Sequence, residues 1–380
     1  MRKRIPRYSI ALLLILRLLP PSAGAAEEAP EVSARAAVVA ELETGRILFE
    51  KNPDLPMKAA STVKILTGLL ALERLDMGEK ITVRPEWTGL EGSSMYLRPG
   101  GEYTVSELLY GLLLVSGNDA AMTLACAVSG SEEAFVELMN ERAEALGMTG
   151  SVFVDASGLR AEGHHVTARD MAALGCAAMK NALFRAIVST KSAEVAGKTL
   201  QNHNKLLWRC EGAVGVKTGY TKAAGRTLVS CAERDGLALV CVTLDDPEDW
   251  ADHEALLDWA FGLYSSADPG EMEWRLSVVS GLEPEVPVRP ARGGRLLLPR
   301  EARWEAELPP FVYAPVRAGE RAGVLRCLDG EGVLLWEAPL VYGEDADLDP
   351  TQKLDFWEKL RWAWLFACRH SASYPQYVFY

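Results

Sequence analysis

Helical periodicity stops near residue 264, and that break limits most strongly what the chain can become. Seven of its twenty prolines lie between Glu283 and Pro315: Pro284, Pro287, Pro290, Pro299, Pro309, Pro310 and Pro315. Proline lacks an amide hydrogen and clashes with the preceding helical turn, so no helix can run through this stretch. Short β-like runs surround the prolines and end in a hairpin signal at Asp329-Gly330. The sequence therefore predicts a small all-β C-terminal unit over residues 268–344. Upstream, over 27–264, helix and strand signals are mixed. Residues 36–50, with the run VVAELETGRILFE, signal a hairpin around Thr44-Gly45, and residues 227–244 form two β-rich runs around Asp235-Gly236. Helical pieces are expected from Ser61 onward, at 104–114, at 118–129, after the caps Ser131 and Thr167, and near 248–263.

The two ends differ from this body. Arg2, Lys3, Arg4 and Arg7 precede an apolar run, Ile10 to Leu19, interrupted only by Arg17; Pro20-Pro21-Ser22 breaks it before Ala23-Gly24-Ala25. Residues 1–25 read as a secretory signal peptide. The run is about ten residues, where ~20 are needed to span a bilayer. Export is the expectation, which removes ATP and NAD from the plausible substrates. At the other end Leu354, Trp357, Leu360, Trp364, Leu365 and Cys368 fall on one helical face, with basic and acidic residues opposite. Residues 351–370 are expected to form an amphipathic helix that lies on a membrane surface. The alternative is a helix docked on the preceding unit. Together the ends predict an exported, extracytoplasmic protein held peripherally on the outer face of the cytoplasmic membrane.

Charge and cysteine count exclude several classes. The formal net charge is −12. Residues 1–25 hold five basic and no acidic side chains, so the remainder carries −17. A generic nucleic-acid binder needs a large basic region, and none is expected here. Seven cysteines spread from Cys126 to Cys368 without a CxxC pair, which argues against a disulfide scaffold and a zinc ribbon. They are read as small buried apolar residues. His164, His165 and His203 lack metal-ligand spacing and are read as loop hydrogen-bonders, so neither metal nor cofactor is expected.

Three short motifs carry the chemistry: Ser61-Thr62-Val63-Lys64, Ser116-Gly117-Asn118 and Lys217-Thr218-Gly219, each pattern occurring once. Ser61 and Lys64 stand one helical turn apart on one face. A serine hydroxyl is a poor nucleophile until a base takes its proton. Lys64 can be that base if burial and a nearby cation, Lys217, lower its pKa. Ser61 begins a helix, so its N–H is placed for an oxyanion, and the Tyr220 N–H is the second candidate donor. Ser116 is expected to pass a proton between Lys64 and a leaving nitrogen. Asn118 is expected to hold a peptide amide, and Lys217 and Thr218, on a strand edge, a terminal carboxylate. Gly219 is expected to leave room for the substrate backbone.

With these motifs the chain resembles the low-molecular-mass penicillin-binding proteins, serine-type D-alanyl-D-alanine carboxypeptidases. Further segments carry the resemblance: 91–121, which includes EGSSMYL and VSGNDAA; FVELMNERAEALGM; DASGL at 155–159; HVTARDM at 165–171; NHNKLL at 202–207; and GVKTGYTKAAGRTLVSCA at 215–232. It covers about residues 30–262. It implies a mixed α/β catalytic domain of the serine β-lactamase and DD-peptidase type, with an antiparallel sheet flanked by helices. It also implies Ser61 acylation by peptidoglycan stem peptides and inhibition by β-lactam antibiotics. Some relatives carry an arginine before the last catalytic helix to bind the terminal carboxylate. Here Asp249-Trp250 stands there, and Arg226 is the nearest basic alternative. Two other readings remain: a serine β-lactamase, and a β-lactam- or wall-binding module without turnover. The first needs a deacylating carboxylate, commonly in ExxLN, and Glu137-Leu138-Met139-Asn140 is one residue short and mid-helix.

Overall fold

The computed structural model describes residues 28–160, 162–351, 360–361 and 377–379. The signal segment and most of the terminal amphipathic helix lie outside the described residues. Five strands form the central sheet: β1 (Ala36–Glu41), β2 (Ile47–Lys51), β3 (Ala213–Thr221), β4 (Gly225–Arg234) and β5 (Leu237–Leu244). Their order is β2-β1-β5-β4-β3, with every neighbouring pair antiparallel. All eight residues of β5 are buried, so it needs apolar cover on both faces. Strand period two supplies it: Ala238, Val240, Val242 and Leu244 join one core, while Leu237, Leu239 and Cys241 join the other.

The first core is closed by α1 (Lys64–Arg74), α2 (Val105–Leu114), α3 (Asn118–Ser129), α4 (Glu132–Ala145), α5 (Ala168–Lys180) and α6 (Ala182–Val188). Their starts follow local chemistry. Thr104 and Glu107 form a reciprocal capping box on α2. Ser131 caps α4 through the Ala134 N–H, and Thr167 caps α5 through the Asp170 N–H. The short α7 (Leu206–Arg209) follows, and α8 (Asp249–Leu263) covers the opposite face with Leu256, Leu257, Ala260 and Phe261.

Polar contacts fix α8 to the sheet. His253 is fully buried, with Nδ1 2.6 Å from Ser230 Oγ on β4 and Nε2 3.0 Å from Thr243 Oγ1 on β5. Burial holds its imidazole neutral, down to about 3. The preceding residue, Asp252, accepts from the Ser33 N–H at 2.6 Å and the Ala34 N–H at 3.2 Å, so the segment leading into β1 is tied to the same helix.

After α8 the described residues up to Tyr342 are mainly strand. A second sheet contains β6 (Trp274–Val279), β7 (Glu285–Pro290), β8 (Arg303–Glu307), β9 (Val312–Tyr313), β10 (Arg321–Leu328), β11 (Leu334–Tyr342) and β12 (Tyr377–Phe379). Its order is β9-β6-β7-β11-β10-β8-β12, and only the β6–β9 pair is parallel. Leu276, Val286, Val288, Leu325 and Leu340 form its core. No single helix among the described residues is long and apolar enough to cross a membrane.

Thr243→Val keeps the shape at β5 but leaves His253 Nε2 buried without its partner. The expected loss is about 1–3 kcal/mol, read from the urea midpoint. An unchanged midpoint would show that the imidazole does not clamp α8 to the sheet.

Candidate active site

Ser61 lies in a 3₁₀ turn, Ala60–Val63, that runs directly into α1. The turn is pinned at the Ala59 carbonyl, which accepts from Thr62 Oγ1 at 2.7 Å and Thr227 Oγ1 at 2.9 Å. Thr227 stands on β4, opposite Gly219 of the edge strand β3. A Cβ at Gly219 would collide with Thr227 Oγ1 and come within 3.0 Å of Ser61 N and 3.1 Å of Ala59 O. The missing side chain at Gly219 thus also serves packing, beside the place at the cleft that the sequence reading gave it. This glycine lets the edge strand approach the nucleophile's turn.

Lys64 is fully buried, and its Nζ donates to Ser61 Oγ at 3.0 Å and to the Ser157 carbonyl at 2.9 Å. Its pKa lies well below the ordinary lysine value, first because burial penalises the ammonium and second because Lys217 repels it; Asp155 and Asp119 oppose the shift. The Ser157 carbonyl belongs to the DASGL segment, which is folded around Asp155. That carboxylate accepts from the N–H groups of Ser157 at 2.7 Å, Gly158 and Arg160 at 2.6 Å. Gly158 has φ +81°, and a Cβ there would collide with the Ala60 carbonyl. The loop that aims Lys64 is thus packed against the turn that carries Ser61.

The α2–α3 break supplies Ser116 and Asn118, which are 4% and 2% exposed. Ser116 has φ +63°, uncommon for a residue with a side chain. Asn118 Nδ2 donates to the Glu91 carbonyl at 2.6 Å. Among the described residues, Ser116 Oγ and Asn118 Oδ1 are buried without a hydrogen-bond partner. Buried polar atoms are nearly always paired, so two orphans two residues apart, with Ser116 lining the cleft, point to a ligand's polar groups. Asp119 shapes the wall beside them. It accepts from the Met95 and Leu97 N–H groups at 3.0 Å each and from Ser94 Oγ at 2.6 Å.

Lys217 enters from β3, 1% exposed, with Nζ donating to the Thr218 carbonyl at 2.8 Å. Burial pushes it down to about 7, so its charge titrates near neutral pH. Ser61, Ser93, Ser116, Thr218, Gly219 and Tyr220 line one open cleft of about 360 Å³, closed at its rim by His203, Lys205, Arg226, Asp249 and Trp250. Arg226 therefore does reach the site. Its guanidinium donates to Asp249 at 2.8 Å and lies 5.6 Å from the Trp250 ring centre, so much of its charge is already balanced.

The structure brings together Ser61, Lys64, Ser116, Asn118, Lys217, Thr218, Gly219 and Tyr220. The sequence reading missed Ser93, Asp119, Asp155 and the Ser157 carbonyl, although all four stand in segments it had marked. His203 proves to be a cleft residue, lowered by burial and by Lys217. His164 is buried against Phe153, and neither ring nitrogen has a hydrogen-bond partner among the described residues, contrary to its reading as a loop hydrogen-bonder. Among the described residues no group of three or more His, Cys, Asp or Glu could hold a metal ion. Asn140 is occupied in structure: its Oδ1 accepts from the Phe153 N–H at 2.9 Å, and it does not line the cleft.

Comparison with known proteins agrees with this geometry. Residues 23–248 match the family described as D-alanyl-D-alanine carboxypeptidase. The chain is 30% identical over 371 residues to D-alanyl-D-alanine carboxypeptidase DacF of Bacillus subtilis, covering 91% of this chain and 95% of that protein. It is 33% identical to D-alanyl-D-alanine carboxypeptidase DacC of Escherichia coli, covering 87% and 90%. The fold superposes on penicillin binding protein 5 from Haemophilus influenzae with a TM-score of 0.64 at 26% identity, covering 84% of this chain and 99% of that one. On the match to more than half its length, the chain belongs to the D-alanyl-D-alanine carboxypeptidase family of serine peptidases.

Proposed function

We propose that the protein hydrolyses the terminal D-alanyl-D-alanine bond of peptidoglycan stem pentapeptides through an acyl-enzyme on Ser61. The observation that carries this reading is the fully buried Lys64 Nζ, 3.0 Å from Ser61 Oγ, its pKa lowered by that burial and further by Lys217. A neutral Lys64 amine takes the hydroxyl proton as Oγ attacks the penultimate carbonyl. The N–H groups of Ser61 and Tyr220 hold the oxyanion. Ser116, its hydroxyl not engaged by the protein, hands the proton to the departing D-alanine nitrogen. Lys217 and Thr218 bind the terminal carboxylate, with Arg226 behind them, and Asn118 holds the acyl-side amide. Water then hydrolyses the ester. β-Lactams enter the same route and remain as the acyl-enzyme.

The β-lactamase reading is disfavoured by the lining of the cleft. Its one carboxylate among the described residues, Asp249, is paired with Arg226. We place catalysis in residues 27–264 and a separate β-rich unit in 268–344. The sequence of residues 1–25 supports export, and that of 351–370 supports attachment to the outer membrane surface as a helix.

Mass analysis of pentapeptide before and after incubation tests the activity. Conversion to tetrapeptide with release of D-alanine is expected, and Ser61→Ala should lower it by at least about a thousandfold. Rapid penicillin turnover would instead establish a β-lactamase. Penicillin labelling without D-alanine release would leave only a binding module.

The two lysines also set the pH dependence. Activity needs Lys64 neutral and Lys217 charged to receive the carboxylate. kcat/KM should rise with pH as Lys64 loses its proton, then fall through a limb near 7 as Lys217 loses its own. Bound carboxylate stabilises the Lys217 ammonium, so the falling limb in kcat should lie at higher pH. A kcat/KM flat from pH 6 to 9 would contradict these roles.

A further inference from the structure

We infer that Lys198, which belongs to none of the three motifs, is a positioning residue for the hydrolysis: it fixes the wall of the cleft that receives the acyl side of the substrate. The inference rests on the carboxypeptidase reading above. That wall is the segment 91–97. Ser93 lines the catalytic cleft, and its carbonyl accepts from the Asn118 N–H at 2.8 Å. The Asn118 side chain, assigned above to the acyl-side amide, donates to the Glu91 carbonyl at 2.6 Å. A shift of this segment therefore shifts the residue assigned to the substrate.

The segment has no helix or strand of its own to hold it. At its outer turn Tyr96 is 76% exposed with φ +60°, uncommon for a residue with a side chain. One side is fixed from within the protein. The buried Asp119 carboxylate accepts from the Met95 and Leu97 N–H groups, and the Met95 side chain fills the space over Gly111. The other side is fixed by Lys198. Its Nζ donates to the Met95 carbonyl at 2.9 Å and to the Tyr96 carbonyl at 3.2 Å, and it lies 5.4 Å from the Tyr96 ring centre. Met95 thus has its N–H on a carboxylate and its carbonyl on an ammonium. Hydrogen bonds to an ionised partner are stronger than those between neutral groups, and this one residue is gripped by two of them.

Lys198 reaches the segment on a short, braced arm. It follows the turn Ala196-Gly197, both at positive φ, in a hairpin of two strands, Ser192–Val195 and Lys198–Gln201. Val195 stands opposite Lys198 and Ala193 opposite Leu200, and side chains so paired project on one face. Val195 and Leu200 are buried in the first core, so the face that carries Lys198 is turned toward the protein. Its aliphatic stem lets the ammonium reach past that face to the loop. At the base of the hairpin the Asn202 N–H donates to the Lys191 carbonyl at 2.9 Å, and Asn202 Nδ2 donates to the Val188 and Thr190 carbonyls at 3.1 and 3.0 Å. The arm is therefore closed at its root as well as at its tip.

Ser61, Lys64 and Lys217 take their hydrogen bonds from other segments. Loss of the Lys198 ammonium frees the outer side of the wall and leaves the reacting groups in place. The fault it causes is in holding the acyl side of the substrate, and the chemical step is spared.

The test compares D-alanine release by the full chain, Lys198→Met and Lys198→Arg on two substrates. One is the stem pentapeptide, and the other is an acetylated tripeptide ending in D-alanyl-D-alanine, whose acyl side is cut short. Lys198→Met should raise KM for the pentapeptide about tenfold, change kcat less than about twofold, and change kcat/KM for the tripeptide less than about twofold. Lys198→Arg, which can still donate to both carbonyls, should stay within about threefold of the unaltered chain on the pentapeptide. Lys198 is exposed, so both variants should keep the urea midpoint of the unaltered chain. An unchanged pentapeptide KM in Lys198→Met would overturn the inference and leave the carboxypeptidase reading standing. Equal losses on the two substrates, or a loss confined to kcat, would do the same. If the unaltered chain releases D-alanine from neither peptide, the carboxypeptidase reading falls and this inference falls with it.

Discussion

Two ammonium groups cannot both stay charged in one dry region, and the organisation of the catalytic unit follows from that constraint. Lys64 and Lys217 are essentially inaccessible to water. An isolated buried charge costs several kcal/mol even after relaxation, so at least one of the pair gives up its proton at neutral pH. Burial lowers both, repulsion between them deepens the fall at Lys64, and Asp155 and Asp119 only partly offset it there. The result is an amine of unusually weak basicity beside a serine, obtained without metal or cofactor chemistry in the proposed route.

That arrangement needs water kept out, and distant parts of the chain meet to do so. The Ala59 carbonyl is held by a threonine from its own turn and by Thr227 from β4. Gly219 brings the edge strand against Ser61, and Gly158 brings the Asp155 loop against Ala60. None of these contacts is local in sequence except the first. A side chain at either glycine would push the nucleophile's turn away from the lysine it depends on.

Much of this was legible in the residues. Strands β4 and β5 stand out because two apolar runs flank an Asp-Gly turn, and α4 and α5 because Ser131 and Thr167 have the cap chemistry their positions demand. The three motifs were legible because the roles proposed for them belong to side chains. What escaped acts through the backbone. The Ser157 carbonyl has no side-chain signature, and Asp119 and Asp155 matter only once the chain has bent around them. The packing role of Gly219 was hidden because a sequence does not reveal which neighbour the missing Cβ would strike. His164 was misjudged because its neighbours Phe153 and Lys58 come from other segments, and only the fold decides that its ring is buried.

The position of β3 at the margin of the sheet carries a cost of its own. A strand with unpaired backbone groups invites pairing with any other extended chain, and proteins usually blunt such margins with charge, proline or a covering element. Here the margin stays accessible because the substrate needs it, and protection comes from shape. The α2–α3 break, the exposed Tyr220 and the Trp250–Arg226 corner turn an open ribbon into a slot. A slot walled on both sides suits a single extended peptide better than the edge of a second folded sheet, so walls that orient a substrate also blunt the exposed margin.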